Sequence, residues 1–298
     1  MEEWESNLAI IILNYNGYEL TIENAKKLRS FSDKLNLVIV DNCSKNDSAK
    51  IIKEAFATDE NTYVIENTVN SGYAAGNNVG LRFVSENLKN VDAVCISNPD
   101  IVVDSLDVLK SLYDKLFADD KLAILTAMTI YNGTIRKPND CGWSQPTKKY
   151  MMFGSTCLNK ILSKSIRYNE FKPNDNGIAY MYACQGCFFM AKQKIMEEIN
   201  YFDEGTFLYQ EEVILASKVK NAGYLEGVAV DEYINHNHQV KDKSLVKKAN
   251  KIFDMNCFYH SKKYYNAKFS GKSRAFTLLA NGFLNIDYFI KRCALIFK

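Results

Sequence analysis

The stretch LAIIILNYNGYELT, residues 8–21, decides the fold class. Its first half is an unbroken apolar run, the composition of a parallel strand covered on both faces. The run stops at Asn14, Tyr15 and Asn16, and YELTIENAKKLRSF (18–31) then reads as a helix. The same unit repeats outward. LNLVIVDN (35–42) is a second strand, DSAKIIKEAF (47–56) a second helix and NTYVIEN (61–67) a third strand. AGNNVGLRFVSEN (75–87) looks helical, and DAVCISNPD (92–100) is a fourth strand with a polar end. Such alternation predicts an α/β fold around a mostly parallel sheet with right-handed crossovers.

The remainder follows a different rhythm. Residues 131–180 hold three of the four prolines and read as a long excursion over the sheet face. YMYACQGCFFMAK (180–192) returns to a buried strand, and EEVILASKVKNAGY (211–224) reads as a helix. From about 245 the chain is basic and helical. Its last part, AFTLLANGFLNIDYFIKRCALIFK (275–298), has an apolar face but is broken by Asp287, Lys291 and Arg292, so it is no membrane span. It could lie on an anionic membrane surface or dock on the protein, and periodicity alone does not separate the two.

At 298 residues and 47% apolar composition the chain has ample material for a buried core. A net charge of +2 supplies no global field for nucleic acid, so a phosphate-bearing partner has to be recognised locally. Eight dispersed cysteines and a first stretch without signal-peptide character suggest reduced thiols and a cytoplasmic setting. Cys184 and Cys187 form a lone C-x-x-C that reads as small residues packed in a strand rather than a metal or redox site.

In an open α/β sheet, ligands bind beyond the carboxyl ends of the strands. Here those ends carry Asn14 and Asn16, then Asp41, Asn42 and Ser44, then Asn98, Pro99 and Asp100. NTVNSGYAAGNN follows the third strand, and its Gly72 and Gly76 permit close backbone approach. Each of these residues is also an ordinary turn former or helix cap, but four consecutive strand ends of this kind point to a nucleotide pocket. Neither a dinucleotide fingerprint nor a phosphate loop is present. A divalent metal on a strand-end carboxylate can replace such a cradle, and Asp100 is the natural candidate. Asp104 reads as a solvated or capping residue before a helix starting near 105.

The other chemistry-bearing stretch is FLYQEEVIL (207–215), where Glu211 and Glu212 interrupt an apolar, aromatic run. Carboxylates in a helix's first turn favour its dipole by about 0.3–1 kcal/mol, which would account for them without catalysis. Combined with the strand-end constellation, they read as acid–base residues.

Taken in order, IIILNYNGYELT, LVIVDNCSKNDS, NSGYAAGNNVGLRF, CISNPDIVV, FDEGTFLYQEEVILASKVKNAGY and YINHNH make the chain resemble the family 2 glycosyltransferases over residues 8–238, in particular the bacterial rhamnosyltransferase-like branch of surface polysaccharide biosynthesis. The resemblance implies a GT-A fold over residues 1–244, with a nucleotide-binding half (1–104), an acceptor-binding half (105–244) and a helical extension (245–298). It implies inverting transfer from a nucleotide-sugar, a UDP-hexose or dTDP-rhamnose, to a glycan or lipid-linked saccharide on the inner face of the membrane.

Carried over by position, Asn14, Asn16, Asp41, Asn70, Gly72 and Asn77 contact the nucleotide-sugar, with Asp41 at the base. Asp100 corresponds to the last aspartate of the family's Asp-x-Asp element and Asn98 to its first. His236 would complete a Mg²⁺ or Mn²⁺ site with Asp100, and His238 could take its place. Glu211 and Glu212 match the Glu-Asp pair, with Glu212 as the base; Glu for Asp and Ile214 for a later aspartate are departures.

Trp143, Tyr150 and Tyr182 could stack on acceptor sugars or serve as packing. His260 reads as structural or solvated. The competing functions are a nucleotidyltransferase, for which NYNGYELT lacks a Gly- and Lys-rich loop, and a non-catalytic sugar-nucleotide or glycan-binding protein.

Overall fold

A computed structural model describes residues 4–137, 140–156, 159, 171–237 and 248–296. The first part runs β1 (Leu8–Asn14), α1 (Tyr18–Arg29), β2 (Asn36–Asp41), α2 (Ser48–Ala55), β3 (Thr62–Glu66), α3 (Tyr73–Asn87), β4 (Ala93–Ser97), β5 (Ile101–Val102), α4 (Leu106–Phe117) and β6 (Leu122–Tyr131). It continues with β7 (Thr134–Ile135), β8 (Gly142–Trp143), α5 (Lys148–Phe153), β9 (Ile178–Met181), β10 (Ala183–Cys184), β11 (Phe188–Lys192) and α6 (Gln193–Glu198). The remaining elements are α7 (Glu211–Asn221), β12 (Leu225–His236), α8 (Lys248–Lys268) and α9 (Arg274–Ile296).

One sheet has the order β3-β2-β1-β4-β11-β6-β12-β5, with β7 on β6 and β9 on β12. The long ladders β1/β2, β1/β4, β2/β3 and β6/β12 are parallel, whereas β11 is antiparallel to both β4 and β6. Strand β1 shows why an unbroken apolar run was required. Ala9 and Ile11 enter the core on one face, while Leu8, Ile10 and Ile12 enter the core on the other. Each fully buried aliphatic side chain contributes about 1.5–3 kcal/mol, so neither face can become polar cheaply. Helix α3 lies close on the first face through its small residues. A Cβ at Gly76 would sit 2.7 Å from Leu13 Cδ1, and one at Gly80 would sit 2.6 Å from Ile11 Cγ2.

Two sequence expectations change. The run 180–192 is not one strand: it breaks into β9, β10 and β11, because Gln185–Cys187 turns the chain between two pairings. Strands β6 and β12, which the sequence reading did not isolate, form the most extensive ladder, interrupted by a register shift between Ala229 and Tyr233.

The basic tail folds as two helices packed on the body. Helix α9 buries Ala280, Leu284 and Asp287, and Asp287 accepts a hydrogen bond from Tyr259 and pairs with Lys291 at 2.7 Å. Helix α8 buries Tyr265 and, unusually, Lys262, which is 1% exposed. The Lys262 ammonium stands 4.5 Å over the Tyr150 ring. Burial lowers its pKa from 10.5 to about 8. Below that pH the folded chain carries a buried charge that the unfolded chain keeps in water. Between about 8 and 10.5 the unfolded state binds more protons, so stability rises with pH. Lys262→Met is therefore expected to raise stability in urea titrations by about 1–3 kcal/mol at pH 7, with an advantage that shrinks toward pH 10. A variant less stable than the wild type at pH 7 would assign the lysine a favourable role.

Candidate active site

Parallel pairing sets Asn14 opposite Asp41 at the ends of β1 and β2. Asn14 Nδ2 donates to Asp41 Oδ2 at 2.6 Å, and Thr21 Oγ1 donates to Asn14 Oδ1 at 2.9 Å. Asp41 also accepts from the Ser44 backbone N–H at 2.8 Å and from Ser44 Oγ at 2.7 Å. With 2% exposure and both oxygens engaged, Asp41 ties down the loop after β2. Asn16, at φ 58°, donates its N–H to Ser44 Oγ and accepts from the Lys45 N–H, which joins the loops after β1 and β2.

These loops wall a cavity of about 1200 Å³. Among the sequence-predicted residues, Asn14, Asn16, Asn70, Gly72, Asn98 and Asp100 line it, together with Asn42 and Tyr73. Asn42 Nδ2 donates to Asn70 Oδ1 and to Gly72 O, both at 3.1 Å, so one amide shapes the rim of the third loop. Asp41 and Asn77 lie beneath this wall. Asn77 is fully buried and donates to Tyr73 O at 3.0 Å, which braces the first turn of α3.

At the other end, Asn98 is fixed through its backbone, its N–H donating to Cys187 O at 2.8 Å. Antiparallel pairing of β12 with the short β5 sets His236 opposite Ile101. As a result His236 Nε2 comes 3.2 Å from Asp100 Oδ2, across 136 positions of sequence. His236 also meets Tyr131 edge to face at 5.6 Å, and the Arg136 guanidinium covers the Tyr131 ring at 4.7 Å. Asp104 is not simply solvated: it accepts from Asn235 Nδ2 at 2.8 Å and helps hold the end of β12.

Asp100 lines the cavity, and His236, which is not among the lining residues, completes an oxygen–nitrogen donor pair with it. No group of three or more His, Cys, Asp or Glu able to hold a metal occurs among the described residues, and His238 lies outside them. Two protein donors suit Mg²⁺ or Mn²⁺ when substrate phosphate and water complete the shell.

Glu211 and Glu212 open α7, as expected from their spacing. They are no solvated surface pair. Glu211 is 5% exposed, and its Oε1 has no hydrogen-bond partner. Glu212 packs against Gly186, where an added Cβ would lie 2.8 Å from Glu212 Oε1. Burial raises the pKa of both carboxyls, and Glu212 adds a like charge against Glu211. Neither belongs to the lining of the cavity. Tyr73 makes the connection: it lines the cavity and donates its hydroxyl to Gly186 O at 2.5 Å. Ile214, in the position of the absent acid, is 1% exposed and packs with Met151, Val213 and Tyr265.

The loop before the pair escaped sequence reasoning. Tyr209 and Gln210 both adopt left-handed backbone, with φ 74° and 72°, a conformation costing about 1–3 kcal/mol per non-glycine residue. The surroundings impose it. Phe207 O accepts from the Tyr73 N–H at 3.0 Å, and Leu208 O accepts from Ser261 Oγ at 2.7 Å. Upstream, Asp203 accepts from Tyr264, and Asn78 binds both the backbone of Phe202 and Glu204 Oε1.

Glu226 was also missed. It is 2% exposed on β12, accepts from the Cys184 N–H at 2.7 Å and has a pKa raised to about 8 by burial. A lone acid in the apolar LEGVAV is the signal that could have flagged it. Tyr182, half-buried, hydrogen-bonds Ser217 at 2.6 Å, and Tyr150, also half-buried, lies under Lys262, so each has a partner within the protein. Cys184 and Cys187 are free thiols, with pKa values raised by burial.

Comparison with known proteins gives these arrangements a context. The profile of glycosyl transferase family 2 matches residues 9–199. The chain is 26% identical over 208 residues to the low-salt glycan biosynthesis hexosyltransferase Agl10 of Haloferax volcanii, covering 70% of this chain and 59% of that protein. It thus spans less than two thirds of that relative's length. Among solved structures, the mannosyltransferase PcManGT from Pyrobaculum calidifontis in complex with GDP-Man and Mn²⁺ matches with TM-score 0.59 at 16% identity, over 95% of this chain and 70% of the other. GalNAc-T7 with UDP, GalNAc and Mn²⁺ matches with TM-score 0.61 at 11% identity, over 95% and 55%. TarS 1-349 of S. aureus with UDP-GlcNAc matches with TM-score 0.53 at 16% identity, over 94% and 72%. The sheet and its flanking helices are the GT-A fold.

Gly72 is where the third loop and the segment before the acid pair meet. Its φ of 97° and ψ of −173° suit glycine alone, and a Cβ would fall 2.1 Å from Phe207 O. Gly72→Ala is expected to cost at least about 2–3 kcal/mol in urea unfolding. Gly223→Ala, at φ 90° but facing open space, is expected to cost less. Equal losses in the two variants would show that the contact with Phe207 adds nothing.

Proposed function

The chain belongs to glycosyl transferase family 2, and from that premise we propose that it transfers a sugar, with inversion, from a nucleotide-sugar to a hydroxyl of a growing or lipid-linked surface glycan. The observation that carries this reading is the approach of His236 to within 3.2 Å of Asp100, which lines a cavity together with the polar strand ends. The donor is a UDP-hexose, or dTDP-rhamnose if the narrower rhamnosyltransferase-like resemblance holds. The hexosyltransferase relative and the glycan pathway in its name support the broader class. The division into a nucleotide half (1–104), an acceptor half (105–244) and an extension (245–298) is part of the same proposal.

Inverting transfer is one displacement, in which the acceptor oxygen attacks the anomeric carbon as the nucleoside diphosphate leaves from the opposite face. The chain's residues divide that work. Asn14, Asn16, Asn70 and Asn98, with the Gly72 backbone, bind the donor from the cavity wall, while Asp41 and Asn77 hold that wall from behind. Asp100 and His236 would hold Mg²⁺ or Mn²⁺, which supplies positive charge against the diphosphate. Glu212 accepts the proton of the acceptor hydroxyl, and Glu211 keeps it oriented. Burial raises the pKa of Glu212, which makes its carboxylate a stronger base than a solvated glutamate. Ile214 packs as a core residue, which leaves the proton transfer to the two glutamates.

Glu212→Gln is expected to lower kcat by about 10²–10⁴-fold with little change in donor affinity. Wild-type turnover should fall with pH along a limb whose midpoint lies above 4.5, because the base must be deprotonated. Turnover by the variant at the wild-type rate rejects Glu212 as the base. Absence of transfer by the wild type from any nucleotide-sugar, with donor binding retained, favours a binding protein instead.

A thermal-shift screen of UDP- and dTDP-sugars is expected to show Mn²⁺-dependent stabilisation that Asp100→Asn abolishes. A nucleotide response unchanged by metal would remove Asp100 from that role.

A further inference from the structure

Helix α9 presents a second surface unrelated to the cavity. Leu278, Leu279, Ile286, Phe289 and Ile290 are 67%, 54%, 61%, 68% and 50% exposed. At 3.6 residues per turn all five fall within one third of the helix circumference. The opposite side of the same helix holds the buried Ala280, Leu284 and Asp287. Docking on the protein therefore uses one face and leaves an apolar stripe on the other. Large exposed apolar side chains are ordinary when scattered, but a continuous stripe marks an interaction site.

Charge beside the stripe indicates what the site fits. Arg274, Asn285 and Arg292 are 11 and 7 residues apart, near whole numbers of turns, so they share one edge. Lys263 of α8 reaches that edge by donating to Asn285 Oδ1 at 3.1 Å. The helix's only acid, Asp287, is 2% exposed and already paired with Lys291. The stripe is thus bordered by cations along one edge, and the helix presents no exposed carboxylate beside it. No described helix is long and apolar enough to cross a membrane. An apolar face with a basic rim instead suits a helix lying in the plane of an anionic leaflet. A second copy of the helix would bring no exposed carboxylate to Arg274, Arg292 and Lys263, since its one acid is buried, whereas anionic headgroups supply the opposite charge.

We propose that α9 docks the protein on anionic phospholipid bilayers, with Leu278, Leu279, Ile286, Phe289 and Ile290 entering the acyl boundary and Arg274, Arg292 and Lys263 meeting lipid phosphates. The inference rests on this surface alone and stands apart from the sugar-transfer reading.

The test is co-sedimentation of the full chain with vesicles of phosphatidylcholine, with and without phosphatidylglycerol. Wild type should pellet with the anionic vesicles and lose at least about ten-fold in partition in 0.5 M salt. The exposed substitutions Leu278→Asp and Phe289→Asp together should abolish pelleting while leaving circular dichroism and nucleotide-sugar stabilisation unchanged. Arg274→Glu with Arg292→Glu should remove the preference for anionic vesicles. As a readout independent of pelleting, Leu279→Trp should show blue-shifted emission on adding anionic vesicles. Failure of wild type to bind, or binding unaffected by the aspartates, overturns the proposal. So does light scattering that shows a dimer dissolved by the same aspartates, because the stripe would then belong to a second copy.

Discussion

The contact between Gly72 and the Phe207 carbonyl joins the two working parts of the molecule. A side chain at this backbone position would run into Phe207 O, which accepts a hydrogen bond from the neighbouring Tyr73 N–H at 3.0 Å. From this joint α3 runs back against β1, where Gly76 and Gly80 let it lie close. In the other direction the chain passes through the left-handed Tyr209 and Gln210 into the buried acid pair. The cavity and the glutamates are thereby fixed to each other by backbone, although neither glutamate lines the cavity.

The opposite side of the site has a different origin. Asp100 follows the last of the early parallel strands, whereas His236 arrives at the end of β12 after the chain has crossed the sheet and returned. A two-residue strand, β5, receives it. The antiparallel insertion of β11 between β4 and β6 leaves room for this return while keeping the sheet continuous. The GT-A fold thus brings together an aspartate and a histidine that no local spacing could associate.

Much of the first hundred residues was legible because β1, β2 and β4 are buried on both faces and their apolar runs end sharply at Asn14, Asp41 and Ser97, while only the edge strand β3 is half-buried. The same clarity misled over 180–192, where apolar character continues while pairing partners change. Burial explains the differing roles at the site. Asn14 and Asp41 read identically as strand-end polar residues, yet Asn14 lines the cavity while Asp41 spends both oxygens on Ser44 and Asn14. Glu226 and the backbone of Tyr209 and Gln210 were illegible because their setting comes from tertiary contacts. The apolar face of α9 was visible as periodicity, but its division into docked and open sides needed the neighbouring helices.

The bracing of the loop by α8 has a consequence for the order in which the chain acquires its site. Asp203 and Leu208 are held by Tyr264 and Ser261, and Phe207 meets Phe253 edge to face at 5.6 Å. During synthesis from the N-terminus, these partners emerge after the whole sheet has been made. Contacts distant in sequence must offset loop-closure entropy before they stabilise anything. The strained Tyr209–Gln210 turn therefore receives its full support late, and the acid pair takes its buried setting only when the helical tail has folded over it. The loops that wall the cavity lie near the start of the chain and can form well before the acid pair is in position.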